Sequence, residues 1–132
     1  MNHNRVLWVL QWVFGLYFIS IGVTHLIVPE GLPEVISWMY DLDDTVHFVA
    51  GAAEILGGLG LILPGLTGVM PQLTPVAAAG LALIMVGAII WHAGRGEVLQ
   101  IGNNVFLLAV MAYVAYGRWR LSPLGERRAS AV

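Results

Sequence analysis

The chain has no cysteine in its 132 residues. That excludes a disulfide, a C-x-x-C redox pair, a thiolate nucleophile and any cysteine-ligated metal. Charge is also scarce: 11% of residues are charged, against roughly 25% in a soluble domain. Lysine is missing altogether, so all six basic residues are arginine, and the net charge is only −2. Such a balance offers no basic surface for a nucleic-acid partner. Neither H-x-x-H nor H-E-x-x-H occurs, and His47 and Glu54 stand about 10 Å apart along a helix. No metal is expected.

What the chain has is apolar sequence, 58% of it by count. Runs near the spanning length of about 20 residues recur four times. The expectation is an all-α fold: an integral membrane four-helix bundle with a short interfacial helix between spans one and two. Residues 1–120 form that domain, and 121–132 read as a disordered cytoplasmic tail. The first run, Val6 to Val28, is too long for the apolar core of a signal peptide and reads as a retained helix. Pro29 to Asp44 is acidic and holds no arginine; Pro33 can open a short amphipathic helix there. The second span covers Asp44 to Pro64, the third about Pro75 to His92, and the fourth about Ile101 to Gly117. Gly57 and Gly58, and in the third span Gly80 and Gly87, suit close helix packing.

The arginines set the orientation. Arg5 flanks the first span and Arg118, Arg120, Arg127 and Arg128 follow the last, whereas the two opposite loops share only Arg95. The excess marks the cytoplasmic side, so both termini are expected in the cytoplasm of a cell-membrane protein.

One stretch organises the site. Glu54 lies mid-span in D-T-V-H-F-V-A-G-A-A-E-I-L-G-G. A central acidic residue costs about 2.5–3.5 kcal/mol to insert, and such residues face a bundle interior or a watered cavity. Asp44, His47, Gly51, Glu54 and Gly58 share one helix face. His25 ends span one, His92 ends span three, and Asn103 and Asn104 begin span four, all on the side where His47 begins span two. The topology therefore predicts a polar pocket in the outer half with Glu54 at its floor and a dry, glycine-lined cytoplasmic half. Glu54, His25 and His92 are the candidate catalytic residues; His47, Asn103 and Asn104 are the candidate ligand contacts. Each also has a structural reading: Glu54 as an interhelical lock, the histidines as interfacial residues, the asparagines as caps of the fourth helix.

G-V-T-H-L in span one and A-G-A-A-E-I-L-G-G-L-G-L-I-L in span two resemble the motifs of the DoxX family of four-helix membrane proteins. So do A-A-G-L-A-L-I-M-V-G-A-I-I-W-H in span three and the asparagine opening span four. The resemblance spans roughly residues 10–117 and carries over Gly22, His25, Glu54, Gly57, Gly58, Gly87, His92 and Asn104. It implies association with thiosulfate:quinone oxidoreductases and membrane oxidoreductase complexes, and with assembly of other membrane proteins in more distant relatives. Three functions follow. The first is a component of a membrane redox system binding a quinone or other lipophilic small molecule. The second is a stand-alone acid–base enzyme (an isomerase, cyclase or epoxide-opening enzyme) on a lipophilic substrate. The third is a non-enzymatic assembly protein. Expected partners are the lipid bilayer, the lipophilic molecule, and a protein partner or second copy; quinone is the cofactor class the resemblance implies.

Overall fold

The computed structural model describes residues 2–125. Four long helices carry the chain: α1 (His3–Ile27), α2 (Asp44–Thr67), α3 (Leu73–Arg95) and α4 (Val98–Tyr116). A 3₁₀ segment, Glu34–Asp41, lies between α1 and α2, and a π-helical turn, Gly117–Leu121, follows α4. No strand occurs among the described residues. All four helices are long and apolar enough to cross a bilayer. Large side chains such as Leu56, Phe48, Leu83, Ile90 and Phe106 stay exposed on their outer faces, as lipid-facing residues of a multi-pass membrane protein do. The expected residues Arg127 and Arg128, and most of the expected tail, lie outside the described residues.

The helices start and stop for local reasons. The Asn2 side chain caps α1 by accepting from the Arg5 N–H at 3.3 Å, so the helix begins before the apolar run. The Asp43 carboxylate caps α2, accepting from the Thr45 N–H at 2.9 Å. Pro64 does not end α2 as the sequence suggests; the helix continues one turn and stops at Gly68, with φ of 70°. Pro64 lacks an N–H to donate to Gly60, but only one turn follows it. Pro75 falls in the first turn of α3, where no N–H partner is needed.

α1 packs along α2 and α3 along α4, with α2 and α3 joining the two hairpins; α1 and α4 touch only lightly. Backbone contact explains the first pairing. A Cβ built on Gly51 would stand 2.8 Å from the Gly22 carbonyl oxygen, and one on Gly22 would stand 2.7 Å from that of Gly51. One turned pair further, a Cβ on Gly58 would meet the Gly15 carbonyl oxygen at 2.6 Å. Only glycine permits this approach, and between membrane helices such packing replaces the missing hydrophobic drive. Gly57 faces α3 instead, where a Cβ would fall 2.6 Å from Leu81. The third span behaves differently from expectation: Gly80 and Gly87 have nothing within 4 Å of a built Cβ. They border open space, so small size there does not signal helix contact.

The core is a column of Leu7, Phe18, Leu61, Ala78, Leu81, Met85, Leu107 and Met111. The half nearer the termini is not dry. Gln11 and Arg118 are both buried there, which corrects the expected division between a polar and an apolar half. The sequence misleads because Arg118 sits where flanking arginines usually reach out to the interface.

Candidate functional site

At the end of the bundle carrying the 3₁₀ segment, here the connector end, a cavity of about 440 Å³ lies between all four helices. His25, Glu54, His92, Asn103 and Asn104 line it. The bundle topology and depth of each span therefore bring five of the six sequence candidates to one space. His47 is the exception. It does not line the cavity but stands behind His25.

The histidine geometry fixes where protons sit. His47 Nε2 lies 2.8 Å from the Met39 carbonyl oxygen. A carbonyl only accepts, so Nε2 carries a proton and donates it. In neutral His47 the other nitrogen, Nδ1, is then an acceptor. It lies 2.9 Å from His25 Nδ1, which must donate. That leaves His25 Nε2 facing Glu54 Oε2 at 3.7 Å. One proton remains to be shared across that gap: a neutral imidazole beside a carboxylic acid, or an imidazolium beside a carboxylate. Glu54 is 4% exposed, and its Oε2 has no hydrogen-bond partner among the described residues. Oε2 is thus enclosed and turned toward His25, while the residue as a whole belongs to the cavity lining.

The second histidine on the wall is held from a different side. His92 Nδ1 donates to Glu97 Oε2 at 2.6 Å. Arg95 Nε donates to Glu97 Oε1 at 3.0 Å, and Arg95 Nη2 to Asp41 Oδ2 at 2.6 Å. The Arg95 guanidinium also stacks over Trp91, 4.5 Å from the ring centre. Glu97 lies in the loop between α3 and α4; the hydrogen bond from His92, and next the one from Arg95, hold its carboxyl below the ordinary value. This chain ties the 3₁₀ segment, through Asp41, to α3 and to the histidine in the wall.

The 3₁₀ segment is itself part of the site. Met39 is fully buried, and Trp38 lines the cavity. The Trp38 ring lies edge-on to His92 at 4.8 Å and tilted against His25 at 5.9 Å and Trp91 at 6.0 Å. Gln100 of α4 donates to the Val35 carbonyl at 3.2 Å, closing the segment from the remaining side. The short amphipathic helix expected between spans one and two is this 3₁₀ segment, and its apolar residues Val35, Ile36 and Trp38 line the cavity.

Several site residues had no strong signal. Tyr17 lines the cavity from α1 but reads in sequence as one aromatic among many. Glu97 is separated from His92 by five positions, too far for the ordinary helical neighbour spacing; the helix ending at Arg95 folds it back. Asn103 and Asn104 do not cap α4, because that helix begins at Val98. They lie more than a turn inside it, which frees their amides for the cavity.

No curated protein and no solved structure matches the chain. A family model does: that of the DoxX-like family matches residues 9–114, from the second turn of α1 to the last turns of α4. The matched region includes every cavity residue named above, and the chain belongs to the DoxX-like family.

Proposed function

We propose that the connector-end cavity binds a quinone or similar lipophilic small molecule, as a component of a membrane redox system, and that Glu54 and His25 exchange a proton with it. The observation that carries this reading is Glu54, a buried carboxyl of the cavity lining whose Oε2 faces His25 Nε2 at 3.7 Å. Quinone reduction consumes two electrons and two protons. The pair delivers one proton from a fixed atom, is reprotonated from the aqueous side and delivers the second, and a partner protein supplies both electrons. A volume of about 440 Å³ falls within the roughly 300–1,000 Å³ typical of small-molecule sites. Trp38, Trp91 and Tyr17 offer ring faces for a planar head group, and Asn104 an amide for its carbonyl. Under the arginine asymmetry this end faces the outside and both termini the cytoplasm.

A second reading rests on the same proton. A histidine–carboxylic acid pair with its tautomer set by a backbone carbonyl is sufficient for acid–base chemistry on a lipophilic substrate without any electron donor. The two readings separate on what the cavity takes up. Solvent extraction of the purified protein, followed by mass spectrometry, identifies a bound lipophile. Titration with a short-chain quinone should quench tryptophan fluorescence, and Trp38→Leu should remove most of that quench. Glu54→Gln should fold and bind quinone but lose the proton uptake that accompanies its reduction. Absence of quenching at saturating quinone, with a non-quinone lipophile extracted, would reject the redox reading in favour of the second.

A further inference from the structure

The second buried polar cluster lies at the opposite end of the bundle and has no part in the cavity chemistry. Arg118 is 2% exposed. Its Nε donates to Gln11 Oε1 at 2.5 Å, and its Nη1 to Asn4 Oδ1 at 2.8 Å and to the Ser122 carbonyl at 2.9 Å. Gln11 is held in turn by donating to the Leu61 carbonyl at 2.6 Å. The guanidinium carbon lies 5.3 Å from the centre of the Trp8 ring. All of these partners are neutral. The seven described acidic residues, Glu30, Glu34, Asp41, Asp43, Asp44, Glu54 and Glu97, belong to the connector end or to the middle of α2. None forms an ion pair with Arg118.

A buried cation without a counter-charge is unfavourable, and a guanidinium cannot shed its proton to escape. Nη2 has no partner at all among the described residues. The chain also breaks its helical regularity at this point: the π-helical turn Gly117–Leu121 carries Arg118 inward, and such turns recur at functional sites. Beside it is a second cavity, of about 420 Å³, lined by Arg118, Trp119, Pro71, Gln72, Pro123 and Leu124. A rigid fork of N–H donors with one buried nitrogen unspent, on a residue that borders this cavity, has the chemistry that recognises a phosphate group.

We propose that Arg118 and the cavity beside it form an anion site for a phosphate group, such as the headgroup phosphate of an anionic membrane lipid. The apolar lining of Pro71, Pro123 and Leu124 suits the first carbons of a lipid, and Trp8 and the two amides hold the guanidinium in place before the ligand arrives.

The test uses the full chain in a neutral detergent. Thermal stability is followed while short-chain phosphatidylglycerol, short-chain phosphatidylcholine or inorganic phosphate is added. Phosphatidylglycerol should raise the melting temperature saturably, and phosphatidylcholine should require at least tenfold more. A saturating response to inorganic phosphate alone would assign the same site to free phosphate, which upholds the phosphate chemistry and removes the lipid. Arg118→Lys should fold and weaken the phosphatidylglycerol response at least tenfold, and Arg120→Gln, on an exposed residue, should leave it intact. Equal responses in wild type and Arg118→Lys would overturn the proposal. So would a wild type indifferent to every phosphate compound whose stability falls on Glu126→Gln, since the counter-charge would then belong to the chain itself.

Discussion

The two ends of this bundle bury polar groups in opposite ways. At the connector end Glu54 and His25 face each other at 3.7 Å, and moving one proton between them removes both charges. At the terminal end Arg118 holds a permanent charge against Gln11, Asn4 and a backbone carbonyl, all neutral. The first arrangement tolerates an apolar medium by being able to discharge itself. The second cannot discharge itself and needs a counter-charge from beyond these partners. A titratable pair suits proton exchange, whereas a fixed cation suits holding an anion. The same low-dielectric surroundings thus lead to two different chemistries, and the choice of residue decides which.

Both clusters depend on the α1–α2 contact, so the largest effect is expected there. Gly51→Leu and Gly58→Leu force a side chain into a backbone carbonyl at under 3 Å. Each should cost about 3 kcal/mol or more, at the upper end for overpacking, read as a fall in melting temperature. Gly80→Ala, with open space at the built Cβ, should be neutral or stabilising by up to about 1 kcal/mol because alanine favours the helix. Equal losses at Gly58 and Gly80 would show that glycine matters here for something other than approach.

Next come the charges themselves. Arg118→Met strips the Gln11 and Asn4 side-chain oxygens of their donor. Leaving buried acceptors unsatisfied costs about 1–3 kcal/mol each, offset in part by removing the buried charge. Glu54→Gln leaves no such orphan, since Oε2 bonds nothing to begin with, and should change stability by less than about 1 kcal/mol. Reversed magnitudes in thermal unfolding would erase the distinction between a discharged pair and a balanced cation.

The smallest effect belongs to the surface latch. Asp41→Asn breaks the exposed pair with Arg95, and exposed pairs are screened by solvent and contribute little to stability. Its signature is kinetic: loss of the tie between the 3₁₀ segment and α3 should speed release of a cavity ligand while leaving the melting temperature nearly unchanged. The latch also has a pH sense. Glu97 is held below the ordinary carboxylate value by His92 and then Arg95, so its contribution is complete above the ordinary range and is lost as pH falls through the depressed value. Ligand release should accelerate on acidification below that range, and Glu97→Gln should make it fast at every pH.

The four spans and the gathering of His25, Glu54, His92, Asn103 and Asn104 at one end were legible because length and cost in lipid dictate both. The length rule locates helices, and the penalty on a mid-span carboxylate points it inward. The histidine pair was not legible. Nothing in one-dimensional spacing says that His47 turns from the cavity toward the Met39 carbonyl, since that depends on how the 3₁₀ segment folds back. Arg118 was misread for a related reason: hydropathy and charge counting assign an arginine after a span to the interface, and only the π-helical turn carries it inside. Gly80 and Gly87 share the composition of Gly51 and Gly58 but not their neighbours, and composition alone does not distinguish a contact from a gap.

The glycine contacts of α1 and α2 also constrain how such a chain can change over time. Gly15 meets Gly58 and Gly22 meets Gly51, so seven residues along one helix answer seven along the other, and three residues beyond Gly22 stands His25 beside His47. The helices run as a ruler against a ruler. Inserting one residue between Gly15 and Gly22 would turn everything beyond it by about 100° and slide it by about 1.5 Å, parting a glycine pair and the imidazole bond together. Length variation between these helices is therefore confined to the loops flanking the 3₁₀ segment, while point substitutions on the lipid-facing sides remain open. The site is inherited as a register as much as a set of residues.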